Sequence, residues 1–238
     1  MADLLTELLD VVPVCIISGG QFGQFRMQVV ERLTATRPEQ LARLHMMPTC
    51  GTQYWLFRPT AAAPDGEWDQ VYAQDLTDDE KERALATVEH EARRLGLWES
   101  QTWGPILEDR GSQITFSALG QAAPVAAKAA WDPTGARKSA LREAVAALLP
   151  DLEVRSGGST SVDITRKGID KAYGMTRLAE VTGLDLQQML FVGDRLDPDG
   201  NDYPVKALGV PCHAVDGWQD TVAYLDELIP RLRSAAQG

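Results

Sequence analysis

The chain has 238 residues, of which 44% are hydrophobic and 24% are charged, values that are ordinary for a soluble globular protein. The formal net charge of −11 argues against a nucleic-acid binder that works through a broad basic face. No apolar run approaches the roughly 20 residues needed to span a bilayer, and no signal peptide is evident. We therefore expect a cytoplasmic protein with no nucleic-acid or membrane partner.

The cysteines and histidines form no ligand motif. The three cysteines are an odd number and lack C-x-x-C spacing, which argues against a disulfide framework or a structural zinc site. The three histidines are scattered along the chain. We expect all six to be ordinary packing or surface residues: Cys15, Cys50, Cys212, His45, His90 and His213.

The first part of the chain, residues 1–76, predicts helices and strands in alternation. Helical spacing in "ADLLTELLDV" is followed by the β-rich run "VCIIS", by Gly19-Gly20, and by a predicted helix in "FGQFRMQVVERL". A strand, a glycine turn and a helix make half of a βαβ unit. The segments "MPTCGTQYWLFRP" and "EWDQVYAQDL" predict further strands joined by a hairpin.

The middle part, residues 77–166, predicts a separate α+β module. A charged amphipathic helix begins at Thr77, with Glu80 three residues later forming a capping box. Strands are predicted in "PILEDRGSQITFSAL", a second helix in "PTGARKSALREAVAALLP", and a hairpin in "LEVRSGG" and "STSVDITR". The α/β pattern returns over residues 167–238. We therefore predict a doubly wound parallel-sheet core, made of residues 1–76 and 167–238, with an inserted α+β domain.

An acidic loop, "GDRLDPDGND" from Gly193 to Asp202, follows the predicted strand "QMLFVGD". Ligands of parallel α/β sheets bind outside the carboxyl ends of strands. Mg²⁺ usually takes one or two protein carboxylates together with phosphate oxygens, and Asp194 and Asp202 could supply them. A calcium loop does not fit, because its first and last ligand positions would be Arg195 and Lys206. The alternative is an acidic surface turn with Asn201 or Asp202 as a helix N-cap.

Two further sites complete a pattern typical of phosphate chemistry. Ser18 ends the strand "CIIS", and its hydroxyl with the backbone of Gly19 and Gly20 could bind phosphate. Lys171 begins a predicted helix, where its charge could neutralise a phosphate beside the metal. On its own, the Ser-Gly-Gly sequence is more often an ordinary turn. On its own, Lys171 is more often a solvated surface lysine. In this order, with the acidic loop last, they predict a magnesium-dependent phosphate site.

These motifs resemble those of the haloacid dehalogenase (HAD) superfamily, in the class with an α+β cap inserted between its second and third motifs. The loop Gly193–Asp202 matches the last motif, G-D-x-x-x-P-x-G-N-D, of the branch that contains eukaryotic-type phosphomannomutases. "GIDK" matches its third motif and "ISGG" its second. The resemblance covers nearly the whole chain. It implies Mg²⁺ bound by Asp194, Asn201 and Asp202, and Ser18 and Lys171 as catalytic residues.

The first motif of the resembling family is missing. Its enzymes use a phosphorylated aspartate in D-x-D at the end of their first strand, followed by an aspartate that acts as general acid and base. Here Asp3 and Asp10 lie in a helical pattern, not after an apolar strand. We expect that the start codon is placed too late, with loss of the first strand. The alternative is a natural relative without a nucleophile that binds sugar phosphates without turnover.

The resemblance leaves open what accepts the phosphoryl group. A mutase must bind the second phosphate of a hexose bisphosphate, usually through several cap arginines. Arg110 matches one of them, Gln121 replaces another, and Lys128 aligns only loosely with a third. Because Gln121 removes a bidentate charged contact, we predict a phosphatase of sugar phosphates or similar small phosphomonoesters. A phosphomannomutase is the alternative, and the mutase relatives would also imply a homodimer formed through the cap.

Overall fold

The computed structural model describes residues 1–235. The described chain divides into two compact units. The first unit contains Met1–Tyr72 and the chain from Asp170 onward, and the second contains Ala73–Ile169. The domain bounds drawn from the sequence, and the role of the second unit as a cap, stay predictions. No helix within residues 1–235 is long and apolar enough to cross a membrane.

The fold is mixed α/β. In chain order, the helices are α1 (Ala2–Val11), α2 (Phe22–Gln28), α3 (Pro38–Leu41), α4 (Asp78–Arg94), α5 (Val125–Trp131), α6 (Ala136–Leu148), α7 (Lys171–Thr182), α8 (Tyr203–Ala207) and α9 (Trp218–Ala235). The strands are β1 (Val14–Ile17), β2 (Leu44–Met47), β3 (Gln53–Arg58), β4 (Glu67–Ala73), β5 (Leu107–Asp109), β6 (Gln113–Ser117), β7 (Leu152–Ser156), β8 (Ser161–Arg166), β9 (Phe191–Gly193) and β10 (Cys212–Ala214).

The first unit contains two sheets. One has the order β1-β2-β3-β4, with β1 parallel to β2 and β2 antiparallel to β3. The other pairs β9 with β10 in parallel, with Phe191 opposite Cys212. In each parallel pair the two carboxyl ends lie at the same edge of the sheet. Ser18 follows one such end, and Asp194 follows another.

Strand β1 is apolar on both faces, as expected of a parallel strand between helical layers. Cys15 and Ile17 pack into one apolar cluster that includes Met175 of α7. Val14 and Ile16 pack on the other face, in a cluster that includes Phe25 of α2. This alternation orients β1 and so places Ser18 at its end.

The second unit is an antiparallel sheet with helices on one face. Its strand order is β5-β6-β8-β7. Ile114 and Phe116 of β6 belong to the same buried cluster as Val88 of α4 and Leu141 of α6. The capping box of α4 is confirmed, because the Thr77 hydroxyl accepts from the Glu80 amide and the Thr77 amide donates to the Glu80 carboxylate.

Three segments differ from the sequence-based prediction. The segment "FGQFRMQVVERL" is not one helix, because α2 ends at Gln28 and a 3-10 turn follows over Val30–Arg32. The β-branched pair Val29-Val30 lowers helix propensity there. Strand β2 begins at Leu44, before the predicted segment "MPTCGTQYWLFRP", and ends at its first residue, Met47. Thr49–Gly51 then forms a 3-10 turn after Pro48. Helix α5 was not predicted, although its run of alanines is a strong helix former.

Candidate functional site

The Ser18 loop is held in shape by its own backbone. The Gly20 amide donates to the Ser18 Oγ at 3.2 Å, so the serine hydroxyl proton stays available for a second partner. The Ser18 amide donates to the Met47 carbonyl at 3.3 Å, which extends the β1–β2 ladder by one residue. A Cβ added to Gly19 would meet no atom within 4 Å. The loop is therefore open beside Gly19.

A turn after β2 contacts this loop and was not predicted from the sequence. Thr49 and Cys50 have φ values of 48° and 56°, and Gly51 has 88°. Non-glycine residues rarely adopt this left-handed conformation. The Cys50 amide donates to the Ser18 carbonyl at 2.9 Å, and the Thr49 amide donates to the Gly20 carbonyl at 3.0 Å. The turn thus fixes the loop from the side of β2.

Helix α7 lies against the same turn through a glycine contact. A Cβ added to Gly174 would lie 2.8 Å from the Cys50 carbonyl oxygen and 3.1 Å from Ile17 Cγ2. A Cβ added to Gly51 would lie 2.6 Å from Gly174 Cα. Only glycine permits this close approach. The first turn of α7, which begins with Lys171, is therefore held near the end of β1.

Lys171 and Asp202 form a mostly buried ion pair. The Lys171 Nζ donates to the Asp202 Oδ1, and the two side chains are 14% and 1% exposed. The second oxygen of Asp202 accepts from the Arg195 amide at 3.1 Å. This contact brings together the third and fourth motifs identified in the sequence. Both Asp202 oxygens have a donor, which favours a role in positioning Lys171 and the Arg195 backbone.

The other acidic residues of this loop, Asp194, Asp197 and Asp199, are exposed. Asp194 follows β9 directly, and its carboxylate makes no hydrogen bond or ion pair within residues 1–235. Asn201 is exposed beside Asp202. Asp197 pairs instead with the Arg195 guanidinium at 2.9 Å, and this partner lowers the pKa of the Asp197 carboxyl. The carboxylates of Asp194 and Asp199 are thus both without a protein partner within residues 1–235, and Asp194 is the one that directly follows β9.

The carboxylates of the acidic loop can be compared with the ligands that Mg²⁺ usually takes in proteins. Among residues 1–235, no three His, Cys, Asp or Glu side chains are placed to bind a metal together. An all-protein metal cage is therefore not built there. One available carboxylate, that of Asp194, fits the way in which Mg²⁺ is bound by one or two carboxylates plus phosphate oxygens and water.

The cationic residues predicted in the cap are both engaged inside the second unit. Arg110 donates through Nε and Nη2 to Glu108 Oε2, at 2.9 and 2.6 Å, and its side chain is only 4% exposed. The Lys128 Nζ donates to the Gln121 carbonyl at 2.8 Å. Buried and paired in this way, Arg110 is poorly arranged to bind a distal phosphate.

The sheet of the second unit has a polar face. Gln113, Thr115 and Ser117 of β6 are buried on the face opposite Ile114 and Phe116. The Thr115 hydroxyl donates to Asp163 Oδ1 at 2.8 Å and accepts from Gln113 Nε2 at 2.8 Å. Burial raises the pKa of the Asp163 carboxyl. The alternation of polar residues in "QITFS" was the available signal.

Comparison with known proteins agrees with this architecture. Residues 124–204, about a third of the chain, match the family model of the haloacid dehalogenase-like hydrolases. A structure of a haloacid dehalogenase-like hydrolase from Bacteroides thetaiotaomicron superposes with a TM-score of 0.57 at 11% identity, covering 95% of this chain and 91% of that one. The chain has the haloacid dehalogenase fold.

Other HAD-fold structures that match come from Plasmodium falciparum IMP-nucleotidase. The N-terminally truncated, IMP-bound form superposes with a TM-score of 0.63 at 13% identity, covering 94% of this chain. A second N-terminally truncated structure of this IMP-nucleotidase superposes with a TM-score of 0.66 at 12% identity. The chain spans 61% and 63% of these two structures. No curated protein sequence matches it.

Proposed function

We propose that the protein is a magnesium-dependent phosphatase of small phosphorylated metabolites, most favourably sugar phosphates. The observation that carries this proposal is the Lys171–Asp202 pair. It joins the "GIDK" and "GDRLDPDGND" segments, in a chain that has the HAD fold. The hydrolase family match over residues 124–204 supports the same reaction class.

In this proposal each residue has a defined task. The Lys171 ammonium neutralises charge on the phosphoryl group while Asp202 holds its side chain in place. The Ser18 hydroxyl donates to a phosphoryl oxygen, because the Gly20 amide already occupies one of its acceptor positions. Asp194, with Asn201 beside it, would hold Mg²⁺. The ion would supply charge stabilisation to the developing phosphoryl transition state.

In this proposal, water accepts the phosphoryl group. A mutase needs cations for the second phosphate of a hexose bisphosphate, and Arg110 is paired with Glu108 while Lys128 is bonded to Gln121. These contacts support a phosphatase over a phosphomannomutase. Because IMP-nucleotidases share the fold, nucleoside monophosphates belong on the substrate panel as well.

Neither Asp3 nor Asp10 is placed as the nucleophile of this proposal, because neither follows a strand. Both lie in α1, and Asp10 is paired with Arg37 at 2.7 Å. The chain is therefore expected to be catalytically impaired as it stands. A cytoplasmic location and a homodimer formed through the cap stay predictions.

The experiment is a measurement of phosphate release from sugar phosphates and nucleoside monophosphates, with Mg²⁺ and with a chelator. It compares the 238-residue chain with a chain extended to the preceding in-frame start. Turnover by the extended chain alone, abolished by the chelator, is the expected result. Activation by a hexose 1,6-bisphosphate would instead favour the mutase.

A non-catalytic sugar-phosphate-binding protein is the second candidate, favoured by the lack of a D-x-D motif in the sequence. It predicts binding by calorimetry without phosphate release, even after extension. That pair of results would refute the phosphatase.

A further inference from the structure

The turn Thr49–Gly51 is held by contacts from outside itself. Thr49 and Cys50 have φ values of 48° and 56°, a conformation that non-glycine residues keep only where the surrounding structure fixes it. This turn supplies two of the hydrogen bonds that shape the Ser18 loop, because the Cys50 amide donates to the Ser18 carbonyl and the Thr49 amide donates to the Gly20 carbonyl. A group that fixes the turn therefore also fixes the loop.

Tyr72 of β4 is such a group. Its hydroxyl donates to the Gly51 carbonyl at 2.8 Å, across 21 residues of sequence. Burial raises the pKa of the Tyr72 phenol above its ordinary value, so the hydroxyl stays protonated and remains a donor at neutral pH. Strand β4 lies at the opposite end of the sheet order β1-β2-β3-β4 from β1. The hydrogen bond thus ties a distant strand to the turn that contacts the end of β1.

Two neighbours hold the Tyr72 ring in place. The Arg177 guanidinium of α7 lies over the ring, with its Cζ 5.0 Å from the ring centroid, which is within the range of a cation–π contact. The Tyr54 ring of β3 packs against it with 5.6 Å between centroids. Tyr54 is itself 3% exposed, and its hydroxyl forms a hydrogen bond with His45 Nδ1 at 2.7 Å. The Tyr72 hydroxyl therefore reaches Gly51 from a ring that is packed and oriented.

Helix α7 takes part in the same arrangement. Its Gly174 lies against the Cys50 carbonyl, where an added Cβ would approach to 2.8 Å. Arg177, three residues further along the helix, contacts the Tyr72 ring. Lys171 begins this helix. The turn, Tyr72 and the helix that carries Lys171 are therefore packed together within the first unit.

We propose that Tyr72 is a positioning residue for phosphate binding by the Ser18 loop. By holding the Gly51 carbonyl, its hydroxyl fixes the turn and, through the two amides that the turn donates, the loop. Tyr72 acts through the turn and does not contact the phosphate. The ligand, a phosphate group, is taken from the proposed function, on which this role rests.

The test compares Tyr72→Phe with Tyr54→Phe in the 238-residue chain, and the probe is inorganic phosphate with Mg²⁺. Each substitution removes one phenol hydroxyl and keeps the ring, but the Tyr54 hydroxyl bonds His45 instead of the turn. NMR follows phosphate binding through the amides of Gly19 and Gly20, at a temperature well below the unfolding of either variant. Tyr72→Phe should raise the dissociation constant about fivefold, the factor that corresponds to the loss of one hydrogen bond, and Tyr54→Phe should leave it within about twofold.

A second readout needs no phosphate. In Tyr72→Phe, hydrogen exchange at the Thr49 and Cys50 amides should be about fivefold faster relative to the Ile16 amide of β1, because the turn opens more easily. In Tyr54→Phe this ratio should not change. An unchanged ratio in Tyr72→Phe would overturn the hold of Tyr72 on the turn.

Binding and exchange together separate this role from the proposed function. If the unsubstituted chain binds phosphate and both variants bind it equally, positioning by Tyr72 is wrong while the proposed function stands. Faster exchange in Tyr72→Phe with unchanged binding has the same meaning, because a merely structural role moves the exchange rates alone. If the unsubstituted chain binds no phosphate at the Ser18 loop, the proposed use of that loop fails, and the role of Tyr72 fails with it.

Discussion

Replacing Lys171 by methionine tests the ion pair on which the candidate site depends. The substitution keeps a long apolar side chain but leaves the Asp202 carboxylate 1% exposed, with the Arg195 amide as its remaining donor. Breaking a buried pair by removal of one partner costs about 3–5 kcal/mol. Because the Lys171 side chain is 14% exposed, we expect the lower end, about 3 kcal/mol.

The assay is urea unfolding followed by circular dichroism. With a slope of about 2 kcal/mol per molar urea, the midpoint should fall by about 1.5 M. The matched control is Lys206→Met in α8, which is exposed and makes no ion pair within residues 1–235; it should change the unfolding free energy by no more than about 0.5 kcal/mol. The double variant Lys171→Met/Asp202→Asn should lose less than the two single losses added together. Equal midpoint shifts for Lys171→Met and Lys206→Met would refute the reasoning.

Three further predictions concern backbone fit and pH. Gly174→Ala should lower the free energy of unfolding by about 1–3 kcal/mol, because the added Cβ would lie 2.8 Å from the Cys50 carbonyl oxygen. The control is Gly23→Ala, whose Cβ would meet no atom within 4 Å. It should be neutral or stabilising in the same urea assay. The Arg166 guanidinium and the Thr77 amide lower the pKa of Glu80 from 4.5 to about 2. Its stabilising contribution is therefore present above pH 4.5 and lost as the pH falls towards 2, and Glu80→Gln should remove that part of an acid-unfolding profile while leaving the rest unchanged. Burial raises the pKa of Asp163 above 3.8, so its contribution is present below that pH and lost as the pH rises. Asp163→Asn, which keeps an acceptor for Thr115, should therefore gain stability relative to the natural chain as the pH increases from about 4, and a constant difference would contradict this assignment.

Local patterns predicted much of the fold, because the interactions that form these elements join residues that are close together in the sequence. The α4 capping box spans three residues, from Thr77 to Glu80, and can be read directly. The alternation in β6 likewise identifies its apolar face. By contrast, α2 ends early at a β-branched pair, and the turn at Thr49–Gly51 depends on contacts with the Ser18 loop. Such contacts leave little trace in a local pattern.

The candidate site was predictable as a set of motifs, but the arrangement of its groups was not. The sequence singled out Lys171 and Asp202 separately, as a phosphate neutraliser and a metal ligand. The structure pairs them, and it leaves the Asp194 carboxylate at the end of β9 without a protein partner within residues 1–235. Pairing across 31 residues of sequence depends on how α7 lies against Cys50 through Gly174. Arg110 is a similar case, because its burial with Glu108 could not be inferred from a hairpin pattern.

The most direct test of the proposed phosphatase is the rate of magnesium-dependent phosphate release by the upstream-extended protein and by its Lys171→Ala and Lys206→Ala variants. Lys171→Ala should lower kcat/KM by about 100-fold or more, because a charged group that stabilises a phosphoryl transition state is worth about that factor. Lys206→Ala should leave it within about twofold. Equal rates for the two variants, or no release by the extended protein on any substrate of the panel, would contradict the account.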